Sequence, residues 1–228
     1  MPNLSRDRYA LGLHTTTPQL GIAISNYAQD SRSQVWDLGR DLASHLHQHL
    51  QEIIAPQTWQ DIEFIAVAKG PGGFTGTRVG VVTARTIAQQ LNIPLFGISN
   101  LAAIAIAQKQ PDHQLVAVQM NASREQLFVA IYEVGGSPVV LRRGLSDQPD
   151  KNGGVQTYLA DTLMTPELWQ ETLDSLKATY QLIKADQNTA KTVTNLLDLA
   201  YLEWQQDKSP KWSEVIPFYG QHPVTLGQ

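Results

Sequence analysis

A glycine-rich loop between a short apolar stretch and a long helical pattern constrains this sequence most. The stretch FIAVAKG, residues 64–70, predicts a buried strand that runs into the loop, and the helix predicted after the loop extends from about Thr75 to Leu91. Asn92 is suited to end that helix, and Pro94 lies just beyond it. Glycines let the backbone approach a ligand, and the free N–H groups of a helix start favour an anion. The order predicts an α/β fold with a candidate phosphate site.

Two interpretations of this loop stay open on its residues alone. The candidates for ligand contact are Gly72, Gly73, Thr75 and Arg78. The Walker pattern fails because Arg78 stands near the slot where that pattern needs a lysine, and the Rossmann spacing fails because Thr75 takes the place of its third glycine. The glycines at positions 73, 76 and 80 are also spaced to let the helix pack closely on a neighbour. The loop therefore serves either nucleotide binding or close packing.

The rest of the chain predicts two α/β lobes. The first predicted elements are a strand over 9–17, its hairpin partner over 20–26 and a third strand near 34–39. They are followed by a helix that Asp41 caps and that ends at Ile54. Thr58 is predicted to cap a short turn. Strand–helix alternation then continues, and a similar order follows Pro111, with a turn at 135–138, a strand at 139–145 and a loop at 147–155. Hairpins followed by this alternation predict a mixed sheet with helices on it. We expect lobes at 1–110 and 111–228, with the last helix returning to the first lobe.

Composition excludes several classes of protein. The 228 residues carry a formal net charge of -4 and contain no cysteine, which rules out disulfides, thiol nucleophiles and zinc–cysteine sites. The basic residues are scattered, with Arg142-Arg143 the only adjacent pair, so we do not expect unaided nucleic-acid binding. No run of about 18 apolar residues predicts a membrane span. We expect a cytoplasmic protein.

Polar residues elsewhere give weaker signals for a site. His14 ends the first strand, where an ATP-handling two-lobed fold would need a carboxylate for Mg²⁺, and histidine is a poor ligand for that ion. His45, His47 and His49 lie on one predicted helix, but a His-x-x-x-His pair without a third ligand more often marks a solvated or partner-facing helix. Ser99 and Ser123 follow strands and lack a nucleophile-elbow sequence.

Several stretches of the sequence resemble the TsaB family, also called YeaZ. They are LGLHTTTPQLGIAIS near the start, IAVAKGPGGFTGTRVGVVTARTIAQQLNIPLFGISNLAAIA in the middle, VQMNASREQLFVAIYE in the second half and VIPFYGQHPVT near the end. The resemblance covers nearly the whole chain, most specifically over 62–105 and more loosely over about 140–210. It implies an actin/Hsp70-like (ASKHA, ribonuclease H-like) fold of two lobes, each with a mixed β-sheet flanked by helices.

The resemblance also implies a function. TsaB-type chains belong to the system that places threonylcarbamoyl on N6 of adenosine 37 in tRNAs that read ANN codons. In that family the chain is a non-catalytic partner that binds and activates TsaD, which holds the metal and transfers the group. TsaE supplies ATP hydrolysis, and TsaC makes the threonylcarbamoyl-adenylate. ATP, ADP and Mg²⁺ are thus implied for the partner subunits, with no cofactor or metal on this chain and tRNA contact only through the complex.

Two positions depart from the family pattern. The family often has Asp at the position of His14, and often has Asp-Ala-Arg at the position of Asn121-Ala122-Ser123. Both changes remove carboxylates that an ancestral ATP site would use. They favour a non-catalytic chain and weaken any assignment of metal binding.

The resemblance implies that the helices at 41–55 and 75–91 pair with TsaD in a bundle of four, and we expect a homodimer through them when the chain is alone. The predicted contacts are Leu42, His45, Leu46, His49, Gly76, Val79, Gly80 and Thr83. In the second helix, Val79, Val82, Thr86 and Gln89 or Gln90 can face one way, and Val81, Ala84, Ala88 and Leu91 another. A bulky charge at Gly80 or Val79 is expected to break assembly and leave the fold intact.

The alternative is a small kinase or ATPase that uses the Gly70–Gly76 loop, with Arg78 on a phosphate.

Overall fold

The computed structural model describes residues 3–135, 154–186 and 188–220. The strand predicted over 139–145 lies outside these residues, as do Arg142-Arg143, most of the turn at 135–138 and the predicted loop up to residue 153. The end of the VIPFYGQHPVT stretch, after residue 220, also lies outside the described residues.

The first sheet has five strands in the order β3-β2-β1-β4-β5. Their bounds are β1 Tyr9–His14, β2 Gln19–Ser25, β3 Ser31–Asp37, β4 Ile62–Ala68 and β5 Leu95–Ile98. The hairpin strands β1, β2 and β3 are antiparallel, and β4 and β5 join β1 in parallel. Every residue of β1 is buried, as its continuous apolar run requires of a central strand covered on both faces.

The second sheet repeats this arrangement with four strands in the order β8-β7-β6-β9. The strands are β6 Leu115–Asn121, β7 Leu127–Gly135, β8 Gly154–Met164 and β9 Tyr180–Ala185. Strands β6, β7 and β8 are antiparallel, and β9 pairs with β6 in parallel. The turn between β6 and β7 is therefore the counterpart of the turn between β1 and β2. Because β8 begins at Gly154, the loop predicted to reach residue 155 ends earlier.

Among the described residues, five α-helices complete the layers. They are α1 Leu42–Ile54, α2 Phe74–Leu91, α3 Asn100–Gln108, α4 Pro166–Asp174 and α5 Val193–Gln205. Apolar side chains of α3 and α5 form one core with residues of both sheets, so these two helices lie between the sheets. Helices α1 and α2 cover the opposite face of the first sheet, and α4 covers the outer face of the second. Helix α5 packs on strands of the first sheet, although it follows the second sheet in sequence.

The predicted helix ends agree with the structure except at one cap. Asn92 ends α2 in the left-handed conformation with φ 54°, as predicted. Asp41 precedes α1 but makes no side-chain capping hydrogen bond, because the chain enters through a single turn of 3-10 helix rather than an extended residue. At Thr58 the backbone N–H and the hydroxyl both donate to the Asp61 carboxylate, so a local cap forms where one was predicted. Within the described residues, no helix has the length and apolar character that crossing a membrane requires.

Candidate docking surface

The glycine loop is closed against the turn between β1 and β2. A β-carbon added at Gly72 would lie closer than 3.0 Å to the Thr16 carbonyl oxygen, and one at Gly76 would come equally close to the Thr15 carbonyl oxygen. The Gly73 N–H donates to the Thr16 carbonyl at 2.7 Å, and the Thr15 hydroxyl donates to the Gly76 carbonyl at 2.8 Å. The glycines therefore allow close approach between two parts of the chain's own backbone.

The four predicted ligand contacts have different surroundings. Gly72 is packed on Thr16, whereas Gly73 and Thr75 are exposed at the start of α2. The Arg78 guanidinium is also on the surface and lies over the Phe74 ring, 5.2 Å from its centre. Its charge is thus directed along the outside of α2, next to an aromatic ring.

His14 is a buried neutral residue at the end of β1. The Asn100 amide nitrogen donates to the Pro71 carbonyl at 3.1 Å, so the amide oxygen faces His14 and accepts from its Nε2 at 2.8 Å. Burial lowers the His14 pKa to about 4, against the opposing effect of the Asn100 hydrogen bond. The position where an ATP site would need a carboxylate thus holds an uncharged ring. The described residues contain no group of three or more side chains suited to hold a metal ion.

Helix α2 has two different faces, as its sequence predicts. Val81, Ala84 and Ala88 are fully buried against the first sheet. On the opposite side, Val82 is 59% exposed. We call the outward side of α2, which consists of Val79, Val82, Thr86, Gln89 and Gln90, the α2 outer face. It exposes apolar side chains on a helix whose inner side is already filled.

Half of the predicted contact residues lie inside the protein. Leu42 and Leu46 of α1 are buried among apolar residues of the first sheet. Gly80 and Thr83 of α2 are buried as well. These four residues position the two helices and offer no contact area to a partner in this conformation. Leu42 and Leu46, which the sequence predicts to contact a partner, therefore serve the chain's own core.

The remaining predicted contacts are accessible. His45 is exposed, and His49, Gly76 and Val79 are partly buried. The burial of Gly80 also corrects the expected effect of a charge there. A β-carbon at Gly80 would come closer than 3.0 Å to the Thr15 hydroxyl, so Gly80→Glu would disturb the fold and not only assembly.

A polar cluster that sequence patterns do not predict connects the two sheets. Ser99 and Tyr132 both donate to the Asp161 carboxylate, at 2.8 and 2.6 Å. Burial raises the pKa of Asp161, against the lowering effect of its two hydrogen bonds. The Ser99 oxygen also accepts from the Ala102 N–H and so caps α3. Only that cap has a sequence signal, because Tyr132 and Asp161 are brought to Ser99 by strands far along the chain.

Comparison with known proteins identifies the fold. The chain is 18% identical to a solved structure described as YeaZ from Pseudomonas aeruginosa, with a TM-score of 0.69 over 92% of this chain and 100% of that one. The predicted actin/Hsp70-like fold, with two mixed sheets flanked by helices, is confirmed.

Sequence comparison gives partial matches to curated proteins. The chain is 37% identical over 106 residues to the tRNA threonylcarbamoyladenosine biosynthesis protein TsaB of Bacillus subtilis (strain 168), covering 46% of this chain and 41% of that protein. It is 36% identical over 76 residues to the TsaB protein of Buchnera aphidicola subsp. Schizaphis graminum, covering 33% of this chain and 36% of that one. Each match thus spans less than half the length of the relative.

A family model covers more than half of the chain. The model described as TsaD: tRNA N6-adenosine threonylcarbamoyltransferase matches residues 39–159, which include α1, α2 and the first hairpin of the second sheet. The chain belongs to this family, and within it to the TsaB (YeaZ) type.

Proposed function

We propose that this chain is the non-catalytic subunit that binds and activates a TsaD-type catalytic subunit in the synthesis of threonylcarbamoyladenosine at position 37 of ANN-decoding tRNAs. The observation that carries the proposal is the α2 outer face. Val82 is exposed there although the inner side of α2 is already packed on the sheet. A helix that is apolar on two sides is stabilised further when a second protein covers the outer one.

The closed glycine loop supports a role without nucleotide on this chain. The carbonyls of Thr15 and Thr16 occupy the space beside Gly72 and Gly76, where a phosphate would have to approach the backbone. His14 is neutral and bonded to Asn100, so it supplies no charge for Mg²⁺. In this proposal the partner subunits, which include a TsaE-type ATPase, therefore bind ATP, ADP and Mg²⁺.

The partner contacts are revised according to burial. Leu42, Leu46, Gly80 and Thr83 orient α1 and α2 from inside, and the accessible residues make the contact. The accessible set is His45, His49, Phe74, Gly76, Val79 and Val82. Helices α1 and α2 touch each other on one side of the first sheet, so two helices of the partner can complete a bundle of four. The same surface serves a homodimer when the chain is alone.

Contact with tRNA is assigned to the complex rather than to this chain. The formal net charge of -4 provides little attraction for a phosphate backbone. We also propose a cytoplasmic location, where the substrate tRNA is found.

Reconstituted modification tests the proposal. Purified TsaC-, TsaD- and TsaE-type proteins of the same organism are incubated with threonine, bicarbonate, ATP and a transcript of an ANN-decoding tRNA, with and without this chain. We expect modified adenosine only when the chain is present, and much less of it with Val82→Glu. Tyr158→Glu is the matched control, because Tyr158 is 63% exposed and belongs to the second sheet, away from α2.

Two results would contradict the proposal. The first is full modification in the absence of the chain. The second is ATP hydrolysis by the isolated chain that falls on Arg78→Ala, which would support the alternative of a small kinase or ATPase that uses the Gly70–Gly76 loop.

A further inference from the structure

Two histidines lie one turn apart on α1, where His45 is exposed and the His49 side chain is 13% exposed. The ring centres of His45 and His49 are 6.4 Å apart, and their planes differ by 28°. Residues four apart on a helix share one face, which is the spacing that lets two imidazoles bind a single metal ion. His47 lies between them in sequence and is exposed on another side of the helix, because two residues advance a helix by about 200°.

The Nδ1 atom of each of these two rings has a protein partner. His45 Nδ1 lies 3.0 Å from the Asp41 carbonyl oxygen, and His49 Nδ1 lies 2.9 Å from the Glu52 carboxylate. Each oxygen accepts from Nδ1, which puts the proton on Nδ1 and leaves the lone pair on Nε2. A histidine that binds a metal typically makes this bond to a carbonyl or carboxylate with its other nitrogen.

The His49 ring is held in place by a neighbouring strand. The Trp36 ring on β3 stacks on it, with centres 4.3 Å apart and planes within 21°. Within the part of the chain that the structure describes, Nε2 of His45 and Nε2 of His49 have no hydrogen-bond partner. Two oriented lone pairs are thus available on one helix face.

We propose that His45 and His49 form half of a site for a divalent transition-metal ion of the Zn²⁺ class, and that the same two histidines of a second copy of this chain complete it. The count of ligands requires the second copy. One chain supplies two nitrogens, and no third metal-binding side chain joins them among the described residues. A closed zinc site takes four ligands in a tetrahedron, at about 2.0–2.1 Å for imidazole nitrogen.

Two-fold symmetry satisfies this requirement with the residues present. In an isologous pair each chain presents the same surface, so an axis that passes beside His45 and His49 brings two identical histidine pairs to one point. Imidazole favours Zn²⁺, Ni²⁺ or Cu²⁺ over Mg²⁺, which prefers oxygen ligands. Because α1 borders α2, such a homodimer would compete with the partner complex, a consequence that rests on the proposed function.

Light scattering on a sizing column over a range of chain concentrations tests the site without any partner protein. The chain is run with EDTA, with Zn²⁺ and with Mg²⁺. We expect Zn²⁺ to lower the dissociation constant of the homodimer at least about tenfold relative to EDTA, because an ion that binds only the dimer shifts the equilibrium by mass action. Mg²⁺ should have no effect. His45→Ala and His49→Ala should lose the response to Zn²⁺, and His47→Ala, on the same helix, should keep it.

The number of ions bound provides a second readout. Zn²⁺ titrated against a chromophoric chelator should bind with one ion per two chains, and His45→Ala should abolish this binding while the circular dichroism spectrum stays unchanged. The proposal is overturned if Zn²⁺ leaves the mass unchanged, if one ion binds per chain without dimerisation, or if His47→Ala loses the response as completely as His45→Ala.

Discussion

The turns that follow the first strand of each sheet occupy equivalent positions and have opposite surroundings. In the first sheet, His14, Thr15 and Thr16 are buried beneath the start of α2. In the second sheet, the turn from Asn121 to Gln126 lies at the surface, with Arg124 and Glu125 at φ 56° and 59°. One turn is an internal packing element, and the other is a free hairpin end.

Under the proposed function, this difference accounts for an actin-like fold that uses its first turn for packing and not for nucleotide binding. A ligand held between two lobes needs both turns to be open towards it. Here the glycine loop and the start of α2 close the first turn through backbone contacts at Gly72 and Gly76. Contacts with the first turn and the first sheet therefore hold α2 in place. The α2 outer face is not needed for these contacts and remains accessible to a partner in the proposed function.

The largest expected effect comes from Gly76→Ala. In a helix this substitution ordinarily stabilises by about 0.5–1 kcal/mol. Here the new methyl group would meet the Thr15 carbonyl closer than 3.0 Å, so we expect a loss of about 3 kcal/mol in the free energy of unfolding. Urea denaturation measures it. Gly73→Ala is the control, since its β-carbon would lie 3.4 Å from the Thr16 carbonyl oxygen. Equal stability of Gly76→Ala and wild type would show that the loop is open.

The next effect concerns the outer face and binding. Val82→Glu places a charge on an exposed apolar position, so we expect about 50-fold weaker association with a TsaD-type protein, as for a central interface residue. Isothermal titration calorimetry measures the affinity. Tyr158→Glu should bind as wild type does, and both variants should keep their melting temperature within a few degrees. Normal binding by Val82→Glu would remove the α2 outer face from the interface.

The buried first turn also predicts a dependence of stability on pH. His14 has a pKa of about 4 in the folded protein, below its value of about 6.5 when unfolded, so the unfolded state binds more protons between these values. The His14 contribution should make the protein about 2 kcal/mol less stable at pH 5 than at pH 8. His14→Gln keeps a donor for Asn100 and cannot titrate, so its loss between the two pH values should be smaller by that amount. Denaturant titrations at the two pH values measure this difference. If wild type and His14→Gln lose the same stability between pH 8 and pH 5, His14 is accessible and titrates normally.

The smallest effect is expected at the exposed second turn, with the opposite sign. Arg124→Gly relieves a left-handed conformation that non-glycine residues rarely adopt, and should raise the free energy of unfolding by about 0.5 kcal/mol. Ser123→Gly, at a neighbouring position without positive φ, should lower it slightly. A large loss of stability in Arg124→Gly would mean that this turn is also a packing element.

Local signals in the sequence predicted much of the first half of the fold. The period of α2 separates Val81 and Ala84 from Val82 correctly, because helix periodicity depends only on nearby residues. The contact between Thr15 and Gly76 joins positions 61 residues apart and has no local signal. For the same reason Leu42 and Leu46 were assigned to a partner. Their periodicity shows that one side of α1 is apolar and does not show what covers it.

The polar links between the sheets were beyond sequence reasoning as well. Asp161 reaches Ser99 across 62 positions, and it lies on a strand that follows a stretch with no clear periodicity. His14 was noted because of its place at the end of a strand. Its neutral state depends on complete burial and on Asn100, which only the packed structure brings to it.

The central claim is that the chain acts as a subunit through the α2 outer face. The mass of a mixed sample tests this claim most directly. The chain and the TsaD-type protein of the same organism are mixed in equal amounts and passed through a sizing column with light-scattering detection. We predict a one-to-one heterodimer with the wild-type chain and with Tyr158→Glu. We predict that Val82→Glu forms no heterodimer. Separate elution of the two wild-type proteins, with or without nucleotide and a TsaE-type protein, would contradict the claim.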